Sequence, residues 1–185
     1  KTGRGHALTI KKTNKSQWRI APSPDGQVVL SYAIYAGDLN VRAAYADHEL
    51  IFFNAPAVFF HPEGHLSQAV DLKITIPKTW SLVLAKKDRS GVFSFSDFDE
   101  LYDTPILAAK NLTIKTGRVR DTHYTFAFHG IYEKDLDKIV HDASLILAKQ
   151  IKMFHSHPCT HYVFQILSLP GGYGGLEHRV SSTNI

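Results

Sequence analysis

Three stretches of this chain carry residue types that bind ligands or react. Gly171-Gly172-Tyr173-Gly174-Gly175-Leu176-Glu177-His178 places four glycines ahead of a carboxylate and an imidazole. A backbone without Cβ atoms lets another chain come close, so Glu177 would face whatever runs alongside, as on a substrate-facing edge. By spacing alone, glycine pairs around a tyrosine more often describe a surface loop entering a strand. His155, His157, Cys159 and His161 recur every second residue, so on an extended strand they share one face and offer zinc-type ligands. Pro158 interrupts them, and same-face neighbours sit about two strand rises apart, too spread to wrap one tetrahedral ion; the simpler reading is a polar loop entering a strand. His48-Glu49-Leu50-Ile51-Phe52 falls one residue short of the His-Glu-x-x-His zinc motif. Phe52 has no lone pair to give, which removes a ligand and with it the site.

Other polar groups assemble less. Gly91, Ser94 and Ser96 belong to no nucleophile elbow or phosphate loop. Asp97, Asp99, Glu100 and Asp103 lack calcium-loop spacing and read as the capped, solvated face of a helix.

The elements that must position these residues are mostly strands. Turn chemistry at Pro22-Ser23-Pro24-Asp25-Gly26 predicts a hairpin joining Trp18–Ala21 to Val28–Tyr35. Asp38–Asp47 reads as a strand, and Phe52–His65, its aromatics broken by Asn-Ala-Pro and Pro-Glu-Gly, as a buried short strand between two turns. Val70-Asp71-Leu72-Lys73-Ile74-Thr75-Ile76 alternates cleanly, and Trp80–Ala85 is its expected neighbour. Asp97 caps a short helix that runs through Tyr102 and stops before Pro105. Leu112–Thr116 and His123–His129 come next, the latter with Tyr124, Phe126 and Phe128 on one face. Eight to ten short strands favour a sandwich. Leu136, Ile139, Val140, Ala143, Ile146, Leu147, Ile151 and Phe154 then recur at helical spacing, which predicts one long amphipathic helix over 134–154. Tyr162–Leu169 reads as a buried strand leading into the glycine-rich edge. The fold class is mainly β (α+β): an antiparallel β-sandwich-like domain, one long amphipathic helix and an edge strand. The change of character at Tyr132 divides the chain into 1–132 and 133–185.

Composition narrows the function classes. The 185 residues are 44% hydrophobic, enough for a real core. No apolar run reaches the roughly 18–20 residues that span a bilayer, so no membrane partner is expected. No signal-peptide pattern precedes the first strands. Cys159 is the only cysteine, which excludes an internal disulfide and fits a reducing, cytoplasmic compartment rather than a secreted one. Lys1, Arg4, Lys11, Lys12, Lys15 and Arg19 make a basic start without an acid, leaving 15 basic against 17 acidic residues elsewhere. No aromatic is interleaved before Trp18 and no nucleic-acid motif accompanies the charge, so no nucleic-acid partner is expected.

Several blocks together resemble the glycyl aminopeptidase family of zinc metallopeptidases. They are Trp18; Ser31-Tyr32-Ala33-Ile34-Tyr35-Ala36 with Asp38-Leu39 and Val41-Arg42-Ala43-Ala44-Tyr45; Phe53-Asn54-Ala55 with Pro62-Glu63-Gly64; Asp99 through Ile106; and Gly174-Gly175-Leu176-Glu177-His178-Arg179 with Ser181 just beyond. The resemblance implies a β-rich N-terminal domain, 1–132, before the start of a thermolysin-like catalytic domain, 133–185. It implies a hydrolase that removes residues from peptide N-termini with zinc held by a His-Glu-x-x-His helix and a further glutamate. Carried over, Glu177 would receive the free α-amine of the peptide, and Gly174 and Gly175 would admit its backbone. The family's metal motif has no counterpart here, so this chain is expected to hold no zinc and to be inactive without the catalytic domain of the same polypeptide, its partner. The alternatives are a stand-alone sandwich module binding peptide or glycan through Phe52, Phe53, Phe59 and Phe60, and a metal-storage or regulatory domain built on residues 155–161.

Overall fold

The computed structural model describes residues 1–130, 135–156, 159–171 and 173–185. They form two compact units, Lys1–Ile34 and Tyr35–Ile185. In the first, β1 (Ile10–Lys12) pairs antiparallel with β2 (Trp18–Ile20), Lys11 opposite Arg19. The turn between them is an Asx turn in which the Asn14 side-chain Oδ1 accepts the Ser16 N–H at 3.0 Å. The hairpin expected across Pro22–Gly26 is not the one formed. The turn itself closes, with the Gly26 N–H on the Ser23 carbonyl at 3.0 Å, but beyond it only an isolated bridge joins Thr2 and Val28. Pro22 and Pro24 have no N–H to give a ladder leaving that turn, so β2 pairs backwards with β1.

The second unit contains β3 (Ala44–Ala46), β4 (Leu50–Phe53), β5 (Val70–Leu72), β6 (Ser81–Val83), β7 (Phe93–Phe95), α1 (Phe98–Tyr102), β8 (Ile106–Ala109), β9 (Thr113–Val119), β10 (Thr122–His129), α2 (Leu136–Phe154), β11 (His161–Leu167), β12 (Gly175–Glu177) and β13 (Ser181–Asn184). Of the expected strand over 38–47 only 44–46 is extended, because the Asn40 side chain accepts the Arg42 N–H at 2.8 Å and turns the chain first. Four strands form an antiparallel sheet ordered β3-β4-β8-β6. β8 is apolar and buried on both faces, so it takes a neighbour on each side, β4 and β6. The strand from 81 to 83 therefore joins β8 and not the 70–72 strand, whose partner is β7.

The other large sheet is ordered β12-β13-β11-β10-β9. β9–β10 and β12–β13 are antiparallel, whereas β10–β11 and β11–β13 are parallel. Parallel neighbours need a crossover, and α2 supplies it between β10 and β11. The Asp135 carboxylate caps α2 by accepting the Lys138 N–H at 2.9 Å, and His155 ends the helix at φ +53°. The expected start at Lys134 and the expected domain division at Tyr132 lie outside the described residues; the strands flanking that division, β10 and β11, are hydrogen-bonded in one sheet.

Two cores arise from strand alternation. Leu50, Phe52, Leu107 and Ala109 of the four-stranded sheet meet Ala127, Val163 and Leu167 of the five-stranded sheet, the interior of the expected sandwich. On the opposite face Tyr124, Phe126 and Phe128 pack with Ile151, Val140, Ala143 and Leu147 of α2, whereas Ile139, Ile146 and Phe154 of the expected stripe are exposed. A third cluster gathers Phe93, Phe95, Leu101 and Ile106. No helix of the described residues is long and apolar enough to cross a membrane.

Candidate functional site

The glycine-rich stretch ends in β12, the outer strand of the five-stranded sheet. β12 bonds only β13 in that sheet, with Gly175, Leu176 and Glu177 opposite Asn184, Thr183 and Ser182, so its outer edge keeps backbone groups open to pairing. Gly174 enters the strand at φ +130°, a conformation that residues with a side chain adopt only under strain. Its carbonyl accepts the Ile185 N–H at 2.9 Å. At Gly175 a Cβ would stand 3.2 Å from Oδ1 of the exposed Asn184, whose side chain would have to give by a few tenths of an ångström. Gly172 lies outside the described residues.

Register decides where each side chain of the hairpin goes. Leu176, Thr183 and Gln165 are opposite one another on the face turned to the four-stranded sheet. Glu177, Ser182 and Phe164 share the opposite face, the one that α2 packs against, and Glu177 is exposed there. Tyr162, two residues before Phe164 on that face, is half-buried, and its hydroxyl donates to the Ser181 carbonyl at 2.8 Å. Burial, opposed by a hydrogen bond with Ser182 and reinforced by Cys159 and then the Glu177 and Asp103 carboxylates, pushes the Tyr162 phenol above its ordinary value. The phenol therefore serves as a neutral hydrogen-bond donor at neutral pH.

Two polar anchors hold this hairpin. From below, the fully buried Gln165 donates to the carbonyls of Val83 and Pro105, both at 3.2 Å, and accepts the Thr183 hydroxyl at 2.8 Å. From the side, Asp103 at the C-terminal cap of α1 takes the His178 ring through Nδ1 at 3.1 Å and the Arg179 N–H at 2.9 Å. The turn itself closes with the His178 N–H on the Ser181 carbonyl at 2.8 Å. Among the described residues, the buried side-chain polar atoms without a hydrogen-bond partner are His178 Nε2, Ser181 Oγ and Asn54 Oδ1. Two belong to the hairpin turn. Asn54 donates to the Val41 carbonyl at 3.4 Å, and Val41 in turn faces Gly174. A buried polar atom left without a partner costs free energy.

Neither Asp103 nor Gln165 stands out in the sequence as part of this site. Gln165 had a signal, a lone amide inside the apolar strand Val163–Leu167. Asp103 had none, since its partner His178 is 75 residues away.

The other candidates do not converge. His155 is exposed at the end of α2, His157 lies outside the described residues, and Cys159 is half-buried with its thiol pushed up by burial. His161 meets the Thr125 hydroxyl through Nε2 at 2.9 Å, and burial, then the Lys87 charge, pushes its pKa down. Among the described residues no three His, Cys, Asp or Glu side chains come together to hold a metal ion. His48 and Glu49 sit in the bend between β3 and β4 rather than on a helix, and His48 is exposed. The donors among the described residues therefore do not fit zinc. The acidic group divides its work. Asp97 caps α1 through the Glu100 N–H at 2.7 Å, while Glu100 pairs with Lys86. Burial raises the Glu100 pKa, but the hydrogen bonds from Lys86 and Ser96 outweigh it and hold the carboxyl below its ordinary value. Of the four phenylalanines, Phe52 is fully buried, Phe53 and Phe59 pack edge to face at 5.9 Å beside the Phe93, Phe95 and Leu101 cluster, and Phe60 is 41% exposed, so the four do not form one exposed face.

This architecture is one that zinc metallopeptidases share. An aminopeptidase N family protein from Idiomarina loihiensis superposes with a TM-score of 0.87 at 27% identity, covering 100% of this chain and 32% of that one. An M1 zinc metallopeptidase from Deinococcus radiodurans superposes with a TM-score of 0.51 at 14% identity over 77% of this chain and 37% of its own. Its E323A mutant bound to a Tyr-Ser-Ala substrate gives 0.51 and 14% over 78% and 37%. The Deinococcus proteins share the fold alone. This chain thus spans about a third of the length of these structures. None of the curated protein sequences matches it significantly. The family model of the Peptidase M61 N-terminal domain matches residues 1–110, and the chain belongs to that family.

Proposed function

We propose that residues 1–185 are the N-terminal part of a zinc-dependent aminopeptidase, and that Glu177 receives the α-ammonium group of its peptide substrate. The observation that carries this reading is an exposed carboxylate on an outer strand whose free edge is entered through Gly174 and Gly175. A peptide laid along that edge can pair with the backbone of β12, and the two glycines keep side chains out of its way. Its terminal ammonium then meets Glu177 in a charge-assisted hydrogen bond, which fixes the peptide end and disfavours internal segments that lack the charge. Zinc belongs, on this reading, to the catalytic domain of the same polypeptide. Ile139, Ile146 and Met153, seven residues apart on α2 and 36%, 59% and 65% exposed, offer that domain an apolar stripe to cover. The blocks that resemble glycyl aminopeptidases add a preference for glycine at the peptide N-terminus, measurable by comparing Gly-, Ala- and Leu-initiated peptides.

The test uses the complete polypeptide with matched peptides, one free and one acetylated at the N-terminus. Glu177→Gln is expected to raise KM for the free peptide about tenfold or more, the order of one charge-assisted hydrogen bond. Equal turnover of the two peptides by the wild-type protein, or an unchanged KM in Glu177→Gln, overturns the reading.

A further inference from the structure

Glu177 is exposed, yet the strand that carries it has three residues and one partner, β13. So short an outer strand does not fix a side chain by pairing alone. The turn just after it is held far more firmly. The carboxylate of Asp103 accepts two donors from the two residues after Glu177, the His178 ring and the Arg179 N–H. The His178 side chain is 5% exposed. Since a carboxylate only accepts, the geometry assigns the proton to Nδ1 of His178, leaving Nε2 enclosed.

Asp103 is itself fixed. Its N–H donates to the Asp99 carbonyl at 2.9 Å, and the Thr104 hydroxyl donates to the Glu100 carbonyl at 2.8 Å, so the residue sits at the end of a helix whose start Asp97 caps. The clamp therefore ties the turn after Glu177 to a rigid point outside its sheet. Hydrogen bonds to both a ring and a backbone N–H set the position and the direction of the chain, as supporting residues do for a metal ligand.

We propose that Asp103 is a positioning residue for Glu177, acting through His178 and Arg179 to hold the carboxylate where a peptide α-ammonium arrives. This rests on the reading of Glu177 as the group that receives that ammonium. On this assignment Asp103 acts through the turn it holds rather than on the substrate, so its effect passes through Glu177. In the complete polypeptide, Asp103→Ala is expected to raise KM for a free-amino peptide about tenfold while kcat falls by no more than about threefold, the size that misplacing a binding group produces. The deciding measurement is the double variant: with Glu177→Gln already present, Asp103→Ala should add nothing to KM, because the group it positions has gone. Multiplying effects in the double variant, or an unchanged KM in Asp103→Ala beside a raised KM in Glu177→Gln, overturns the positioning role and leaves the reading of Glu177 intact. An unchanged KM in Glu177→Gln alone overturns that reading instead. Should Asp103→Ala not fold, Asp103→Asn decides in the same way, since its single acceptor oxygen can serve one of the two donors fully but not both.

Discussion

The space between the two large sheets and the hairpin at the edge of one of them are built from opposite materials. Between the sheets, Leu50, Phe52, Leu107, Ala109, Ala127, Val163 and Leu167 are all 0–1% exposed, and shape with apolar burial does the holding. At the hairpin the cross-links are polar: Gln165 to Thr183, Val83 and Pro105, and Asp103 to His178 and Arg179. Apolar packing is non-directional and tolerates small shifts, whereas a carboxylate with two donors specifies an orientation. The difference teaches where stability resides and where precision does. A binding group on a three-residue outer strand needs the second kind of support.

That contrast can be broken by substitution. Phe52→Ala should have the largest effect, a loss of about 3–5 kcal/mol in denaturant unfolding, because a fully buried ring leaves a cavity between the sheets. Gln165→Leu keeps the volume but strands the Thr183 hydroxyl and two carbonyls. Its cost should be about 2–3 kcal/mol, with amide exchange in β13 rising more than in β10. Gly174→Ala should cost about 1–2 kcal/mol through backbone strain alone, since the new Cβ meets Val41 at 3.5 Å, an ordinary contact. If the hairpin were loose, this variant would instead be neutral in melting experiments.

A smaller effect depends on pH. His161 has its pKa lowered by burial, then by Lys87, so the folded protein binds that proton less readily than the unfolded chain does. Its contribution therefore turns unfavourable as pH falls below the ordinary histidine value of 6.5, and the penalty stops growing below the lowered folded value. Melting midpoints of wild type and His161→Gln should diverge between pH 7 and pH 5, with the variant losing less. Smallest of all, Glu177→Gln should change stability by less than about 0.5 kcal/mol, because the side chain is exposed. A neutral stability change beside a raised KM is the signature of a binding residue with no structural duty.

Much of the scaffold is legible from local pattern. Asp97 and the acids after it announce α1, and the spacing of Leu136 through Phe154 announces α2. Alternation at Tyr124, Phe126 and Phe128 identifies the face that α2 covers. What local pattern misses is partner choice. Val70–Leu72 alternates as expected but pairs with Phe93–Phe95, because β8 claims both β4 and β6. Pro22–Gly26 forms the turn its residues predict but not the hairpin expected across it. The mixed order of the five-stranded sheet also depends on a crossover that pairwise patterns do not encode.

By itself, the sequence determined that four glycines run just ahead of a carboxylate, since residue type and turn chemistry act over a few positions. It equally determined the amphipathic helix and the single-cysteine, packing-held fold. Only the tertiary structure decided that β12 is an outer strand, that Glu177 shares the face with Tyr162 and Ser182, and that Asp103 grips the turn from 75 residues away. The reason is physical: a hydrogen bond between distant residues depends on how whole sheets and helices stack, and no spacing along the chain records it.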